Sequence, residues 1–432
     1  MAARCQACGR TIDSTGGPGR TASYCSQACR QRAYRERRRP AGVPAQELVS
    51  DIGERLTRLR LEPALAFQAD VEALSPRFAQ LRRLARERRE AGEAVENVTP
   101  TDVTNSGEDD TLTALIEAHH RELRVHCYRL LGSYDEAEDL TQETFLRAWR
   151  ARETLDGVDN PRAWLYKIAT NACLDFLRKQ NRRPTPYEPV PGMDSGDGPP
   201  PPRLPWLQPF PDDQLPEAPA PQHEPDEQAV ASETLELVFL TAIQQLPPRQ
   251  RAAVILRDVA GWSAQETAEL LDTSVPSANS AVQRGRSTLR QALPGRREDW
   301  SAPAPGAEDL ALLQRYLDAF ARTDIDAMVE LVREDIVLTM PPNPFWFTSR
   351  DAMFAFVRPN LDPASPMFAG HWRVLPVRAN GQLAVAGYLQ RPGTSVFRAQ
   401  LIDVLRVADG RIAQITTFEP HLFPAFGLPM TL

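Results

Sequence analysis

Apolar residues recur at helical spacing through most of residues 111–183. A helix over 112–131 offers Leu115, Ile116, Leu123, Tyr128 and Leu130 for packing. His119, Glu122 and His126 could share one of its faces and invite a metal reading, but no site motif accompanies them and histidines of an ordinary helix face are favoured. A second helix starts at Tyr134. Its Ala137, Leu140, Thr144, Phe145 and Ala148 fall on one side and face inward. Asp139, Gln142, Glu143 and Leu146 fall at i, i+3, i+4 and i+7 on the other, an exposed acidic and amide stripe with one apolar residue in it. A third helix opens with Asn160 as N-cap and Pro161 in its first turn. Trp164, Leu165, Ile168, Ala172 and Phe176 are expected to form its buried stripe, and Lys167, Asn171 and Arg178 share the opposite face. Lys179, Arg182 and Arg183 carry positive charge past its end, which suits a nucleic-acid backbone, with an amide left to read a base edge.

The pattern changes over 184–232. Fifteen of the forty-two residues 184–225 are proline, so neither helix nor sheet is expected to persist and the chain reads as an extended linker. Within it Trp206 and Phe210 are expected to dock rather than serve as spacer. Helical periodicity returns over 233–293. Pro247-Pro248 starts one helix, Ser263 and Glu266 form a capping box for the next, and Ser274 caps the last. In that last helix Ala278, Ala281, Val282, Gly285 and Leu289 point inward, and Asn279, Ser280, Gln283, Arg284 and Arg286 point outward. This is a helix-turn-helix with side chains able to reach base edges. From 306 to 432 two short helices (310–321 and 325–332), a strand over 336–340 and a helix after Ser349 precede alternating strands at 372–377, 383–389, 396–407 and 412–418. Asp409-Gly410 gives a hairpin turn, and a curved antiparallel sheet of α+β type is predicted. Upstream, 45–92 reads as a helical segment broken by Pro63 and Pro76, and 95–110 as a polar linker.

The net charge of −7 does not advertise nucleic-acid binding, but its distribution does. Residues 1–40 hold nine arginines against two acids, whereas 184–232 hold nine acids against one arginine. No apolar run approaches the ~20 residues needed to span a membrane, and no apolar core follows Arg4 and Cys5, so a cytoplasmic protein is expected. Its cysteines are then metal ligands or buried thiols rather than disulfides. Cys127 and Cys173, alone within helical patterns, read as core filler. Cys5-x-x-Cys8 and Cys25-x-x-x-Cys29, either side of a glycine-rich loop, match four-thiolate zinc ligation in a module over 1–40. Its YCSQACRQRAYRERRR segment resembles small zinc-ribbon modules, and the arginines after Cys29 either grip phosphates or keep the module soluble.

The run DLTQETFLRAW followed by NPRAWLYKIATNACLDFLR resembles region 2 of bacterial sigma factors of the extracytoplasmic-function group. The resemblance implies that Asp139, Gln142, Glu143 and Leu146 bind core RNA polymerase. It implies also that the helix bearing Lys167, Asn171, Arg178 and Lys179, with the loop before it, binds the minus-ten promoter strand. LPPRQRAAVILRDVAGWSAQETAELL looks like sigma region 4, although Asn279 and Ala281 stand where the family usually has a lysine and an arginine. The linker is implied to run through the polymerase's nucleic-acid channel, and its Trp-Leu-Gln-Pro element resembles one in members with a C-terminal extension. LLQRYLDAFARTDIDAMVELVREDIVLTMPP resembles the SnoaL-like family, whose cone-shaped fold encloses a pocket that Phe345, Trp346, Phe347, Phe354 and Trp372 would line unless they are simply core. Some of that family are cyclases or isomerases, which need an acid–base pair. Asp335, Asp351, His371, Glu419 and His421 show no such spacing, so a non-catalytic domain that modulates the sigma regions is expected. The reading is a promoter-specific initiation factor with no catalytic residues, partnered by core polymerase and promoter DNA, with an anti-sigma factor or small ligand as further candidates. The rivals are a SnoaL-like enzyme with DNA-binding appendages and a zinc-dependent regulator that never joins polymerase, and neither has a use for the DLTQE stripe.

Overall fold

The computed structural model describes residues 106–180, 182–216, 234–293 and 305–432, all within one compact unit, Asn105–Leu432. The four-cysteine module and the helical segment over 45–92 lie outside the described residues.

Three helices form the first bundle: α1 (Ser106–Leu131), α2 (Tyr134–Arg150) and α3 (Pro161–Gln180), with a 3-10 turn at Arg152–Gly157 between the last two. Gly132 ends α1 at φ 73°, a conformation that suits glycine. Ser133 then caps α2, and Asp135 and Glu136 in its first turn complement the helix dipole. Ala137, Leu140, Thr141, Thr144 and Ala148 are buried, the two hydroxyls satisfied by carbonyls four residues back, at 2.6 Å each. Cys127 and Cys173 are both buried free thiols. His126 is buried against Thr170 Oγ1 at 2.9 Å, and burial pushes it down to about 3, so it is neutral. His119 faces Glu122 instead, at 3.0 Å, so the two histidines do not converge.

The second bundle comprises α4 (Leu237–Ile243), α5 (Pro248–Val254, continued by a π turn at Ile255–Val259), α6 (Ala264–Leu270) and α7 (Val275–Ala292). The Ser263/Glu266 capping box forms at α6, and Ser274 caps α7. Gly285 lets α7 approach α5: a Cβ there would lie 2.5 Å from Val254 Cγ2.

The C-terminal domain runs α8 (Ala307–Ala321), α9 (Ile325–Leu331), β3 (Val332–Thr339), β4 (Trp346–Phe347), α10 (Arg350–Leu361), β5 (His371–Ala379), β6 (Gln382–Gln390), β7 (Arg398–Ala408), β8 (Arg411–Phe418) and a 3-10 segment, Pro420–Phe426. Strand order is β4-β3-β8-β7-β6-β5. The sheet is mixed rather than wholly antiparallel, because β3 pairs with β8 in parallel. That pairing joins strands separated along the chain by α10 and four other strands, and local alternation carries no sign of it.

Strand β6 is buried on both faces. Leu383 and Val385, with Leu405 and Ile415, pack under α8, α9 and α10. Ala384, Ala386 and Tyr388, with Ile402 and Val404, join a core that continues into the linker and both helical bundles. The described part of the linker, 184–216, is therefore not a free extended chain. Its β1 (Thr185–Pro186) and β2 (Pro202–Arg203) pair with one another, and Ser195 O accepts from Thr348 N at 2.8 Å. Proline removes donors, but the carbonyls between prolines remain free to accept.

The aromatic candidates divide. Phe345 and Phe347 pack on Phe356, and Phe354 is buried. Trp346 turns to the linker, donating to Glu188 O at 3.1 Å. Trp372 packs on Phe320. Three of the acid–base candidates stand apart: Asp335 is held by Arg333, Asp351 is exposed, and His371 packs edge-on to Phe368, whereas Glu419 and His421 lie 3.6 Å from one another after β8. Sequence reading passed over Asp403, a buried carboxyl whose Oδ1 accepts from Thr417 Oγ1 at 2.6 Å. Burial pushes it up from 3.8 to about 7. The folded chain thus keeps a proton that the unfolded chain loses above pH ~4, and this site's contribution to stability falls as pH rises from about 4 to about 7. Asp403→Asn should remove that slope and leave the variant more stable than the wild type at pH 8, by up to roughly 4 kcal/mol. Urea melts at pH 5 and pH 8 check this, and a variant less stable at pH 8 would contradict it.

Candidate nucleic-acid and partner interface

On α2 the predicted stripe is outward. Asp139, Gln142 and Leu146 are exposed, Leu146 at 53%, and Trp149 extends the stripe at 41%. Burial raises the Asp139 carboxyl, as do the neighbouring Asp135 and Glu138 charges, so the acidic surface is crowded. Glu143 differs from its companions. It is half-buried and accepts from Arg147 Nε at 2.8 Å, and Arg147 also reaches Asp175 at 3.4 Å.

The face assignment of α3 needs correction. Its buried side is Leu165, Tyr166, Ala169, Thr170, Ala172, Cys173, Leu174 and Leu177. Trp164, Ile168 and Phe176, expected there, are half-buried at the edge of the core, and Trp164 and Ile168 also line a cavity of about 450 Å³ together with Lys167, Asn171, Arg147 and Ala151. The helix is covered by α1 and α2 on one side only, so its apolar pattern is wider than its buried face. The result is a concave site with an indole, a cation and an amide, the groups that stack an unpaired base, hold its phosphate and read its edge. Arg178 pairs with Asp175 at 3.0 Å, and Lys179 is exposed beyond it.

On α7 the side chains of Asn279, Gln283, Arg284 and Arg286 are exposed, and Ser280 is half-buried. Arg284 donates to Ser280 Oγ at 2.6 Å, and Arg286 makes a two-pronged pair with Asp258. This is the polar outer face of a helix-turn-helix.

The two bundles are packed together. Arg251 is buried, and its guanidinium donates to Leu130 O (2.6 Å), Gln244 Oε1 (2.6 Å), Gln244 O (2.8 Å) and Leu246 O (3.1 Å). Burial pushes it down to about 9, still a cation at neutral pH, and it closes the carbonyl end of α1, where the helix dipole favours positive charge. Trp262 meets Tyr166 edge-on at 5.3 Å, and the Arg162 guanidinium covers both rings. Lys167 Nζ lies 2.6 Å from Asp272 Oδ1, in the turn between α6 and α7.

The C-terminal domain and linker complete this arrangement. Gln208 accepts from Ser133 Oγ and Asp135 N, and donates to Asp135 Oδ2, all within 2.9 Å. Phe210 sits between Tyr128 and Tyr134. Asn380, in the β5–β6 turn at φ 60°, is fully buried. Its Nδ2 donates to Tyr128 OH (2.8 Å) and Leu235 O (2.7 Å), and its Oδ1 accepts from Phe210 N (2.9 Å). One side chain thus ties the first bundle, the linker and the start of the second bundle to the C-terminal sheet. Asp212 accepts from Gly381 N at 2.8 Å beside it. His421 faces Asp135 at 3.4 Å and Glu419 at 3.6 Å, again at the boundary between domain and bundle. The sequence carries no sign of the roles of Arg251 and Asn380, and marks Gln208 only as part of the Trp-Leu-Gln-Pro element. The Asn380-Gly381 pair between alternating runs was a hairpin signal, but it says nothing of what the asparagine touches.

Among the described residues no helix is long and apolar enough to cross a membrane. Three family descriptions match the chain: Sigma-70 region 2 at 115–183, Sigma-70, region 4 at 236–289, and SnoaL-like domain at 313–415. The chain is similar to ECF RNA polymerase sigma factor SigG of Mycobacterium tuberculosis, with 40% identity over 324 residues, covering 74% of this chain and 84% of the relative. It is similar to SigJ of the same organism at 27% identity, covering 69% and 88%. The crystal structure of Mycobacterium tuberculosis SigJ aligns with TM-score 0.47 at 21% identity, covering 74% of this chain and 99% of that one. With both sigma regions in order, and that coverage of a relative at 40% identity, the chain belongs to the ECF RNA polymerase sigma factors.

Proposed function

We propose that this sigma factor binds core RNA polymerase through Asp139, Gln142 and Leu146, takes a promoter strand in the Lys167–Asn171 pocket, and reads a second element with α7. The C-terminal domain clamps these parts closed and so makes initiation conditional. The observation that carries the reading is Asn380, whose three side-chain bonds each reach a different segment outside its own domain.

The closed arrangement is incompatible with full promoter engagement. Minus-ten and minus-thirty-five elements lie on the order of 85 Å apart along B-form DNA. Here the turn that precedes α7 touches α3 itself, with Asp272 2.6 Å from Lys167. The two bundles must separate before both elements are bound. The clamp on the linker has the same effect, since residues held by Thr348 and Asn380 are not available to a channel in polymerase.

Run-off transcription with purified core polymerase and genomic fragments tests the reading. The full-length chain should be used, because removing 306–432 would expose Tyr128, Leu204 and Phe210 of the shared core. A promoter-specific transcript is expected, stronger when the clamp is weakened. No such transcript from either form would overturn the assignment of these surfaces. The zinc expected at Cys5, Cys8, Cys25 and Cys29 is a proposal carried by their spacing alone.

A further inference from the structure

We infer that Asp272 is an internal competitor of the promoter strand: in the closed chain its carboxylate occupies Lys167, the lysine of the α3 pocket, in place of a phosphate. This rests on the reading of that pocket as a promoter site and adds what regulates access to it.

The pocket has one lysine, Lys167, set beside Trp164 and Asn171. An incoming strand places an anion at such a cation, and the structure already places one there, 2.6 Å from Nζ. The carboxylate comes from the other DNA-binding bundle, more than a hundred residues along the chain. Its position is enforced from several directions. Asp272 sits at φ 47°, a left-handed conformation that aspartate and asparagine tolerate better than other side-chain-bearing residues. The helix before it is held to α3 by Trp262 against Tyr166, with Arg162 stacked over both rings and anchored to Glu122. The pair itself is half open to water, Lys167 at 42% and Asp272 at 62%. An exposed pair of this kind is weak enough for a phosphate to displace, so it tunes access rather than forbidding it. The device links two events: separation of the bundles frees α7 for its element and uncovers Lys167 for the other.

The test is a double-mutant cycle on the full-length chain without polymerase, reading anisotropy of a short fluorescein-labelled single-stranded oligodeoxynucleotide of randomised sequence at low salt. Asp272→Asn keeps the turn and removes the charge. It should tighten binding about two- to fivefold, the worth of an exposed ion pair. Lys167→Gln should weaken binding, and in that background Asp272→Asn should have no effect. Equal tightening in both backgrounds would mean a general charge effect and would overturn the inference. Weakening by Lys167→Gln with no response to Asp272→Asn would also overturn it, while leaving the pocket a strand site. No response to Lys167→Gln would remove the pocket reading itself and the inference with it. Circular dichroism melts of each variant exclude unfolding as the source of any change.

Discussion

Replacing Asn380 with alanine should release the C-terminal domain from both bundles and raise promoter-directed transcription. The substitution strands Phe210 N–H and Leu235 C=O, both paired by the amide in the wild type. A buried backbone group left without a partner costs about 1–3 kcal/mol. The two stranded groups together weaken the closed state by roughly 2–6 kcal/mol, at least about thirtyfold in a closing equilibrium. The hairpin itself persists, because β5 and β6 pair along their full length from His371 to Gln390. Hydrogen exchange separates the outcomes: the amides of Gln208 and Phe210 and those at 235–237 should exchange faster, while those of β5–β6 stay protected. Unchanged exchange at the linker would show that the closed state does not depend on this side chain. Faster exchange with unchanged transcription would show that the closed state is not the inactive one.

Much of this architecture is legible in the chain because it is set locally. Ser133, Asn160, Ser263 and Ser274 cap the helices they precede. The stripe of Asp139, Gln142 and Leu146 follows from period alone. Asp409-Gly410 closes its hairpin with both residues at positive φ, as its composition predicts. What was not legible depends on which distant surface covers a residue. Trp164 and Ile168 are apolar at helical spacing like any core residue, and nothing in that spacing says that α1 and α2 leave this quarter of α3 uncovered. Arg251 reads as one more surface arginine in a basic helix. It is buried because the carbonyl end of α1, about 120 residues upstream, supplies acceptors that replace water. The linker reads as spacer because proline excludes regular structure. Its Trp206 and Phe210 dock as their aromatic character in a polar tract leads one to expect, but the partners on α1, α2 and α4 that order residues 184–216, those of Gln208 included, are set by the tertiary fold.

Those same contacts decide how the polymerase surface should be probed. Asp139→Lys combined with Leu146→Asp should lower affinity for core polymerase by at least about a hundredfold, since like charges set opposite one another at an interface cost several kcal/mol and the buried apolar anchor is lost as well. Stability should be unchanged or slightly higher. Asp139 is crowded by Asp135 and Glu138, which with burial hold its carboxyl above the usual range, so a cation there relieves repulsion. Leu146 is already more than half exposed. Single-stranded DNA binding by the free chain should also be untouched, as neither side chain lines the α3 pocket. Glu143→Lys should behave differently although it lies on the same helix. It breaks the pair that orients Arg147, and Arg147 lines that pocket, so loss of polymerase binding should come with altered DNA binding. Titration of labelled core polymerase, run beside the oligonucleotide assay, resolves the two patterns. Undiminished polymerase affinity in the Asp139/Leu146 variant would mean that the stripe is an ordinary solvated helix face. Loss of DNA binding in that same variant would mean that polymerase and promoter surfaces on this bundle are not separable, because the helix that carries one also braces the other through Arg147 and Asp175.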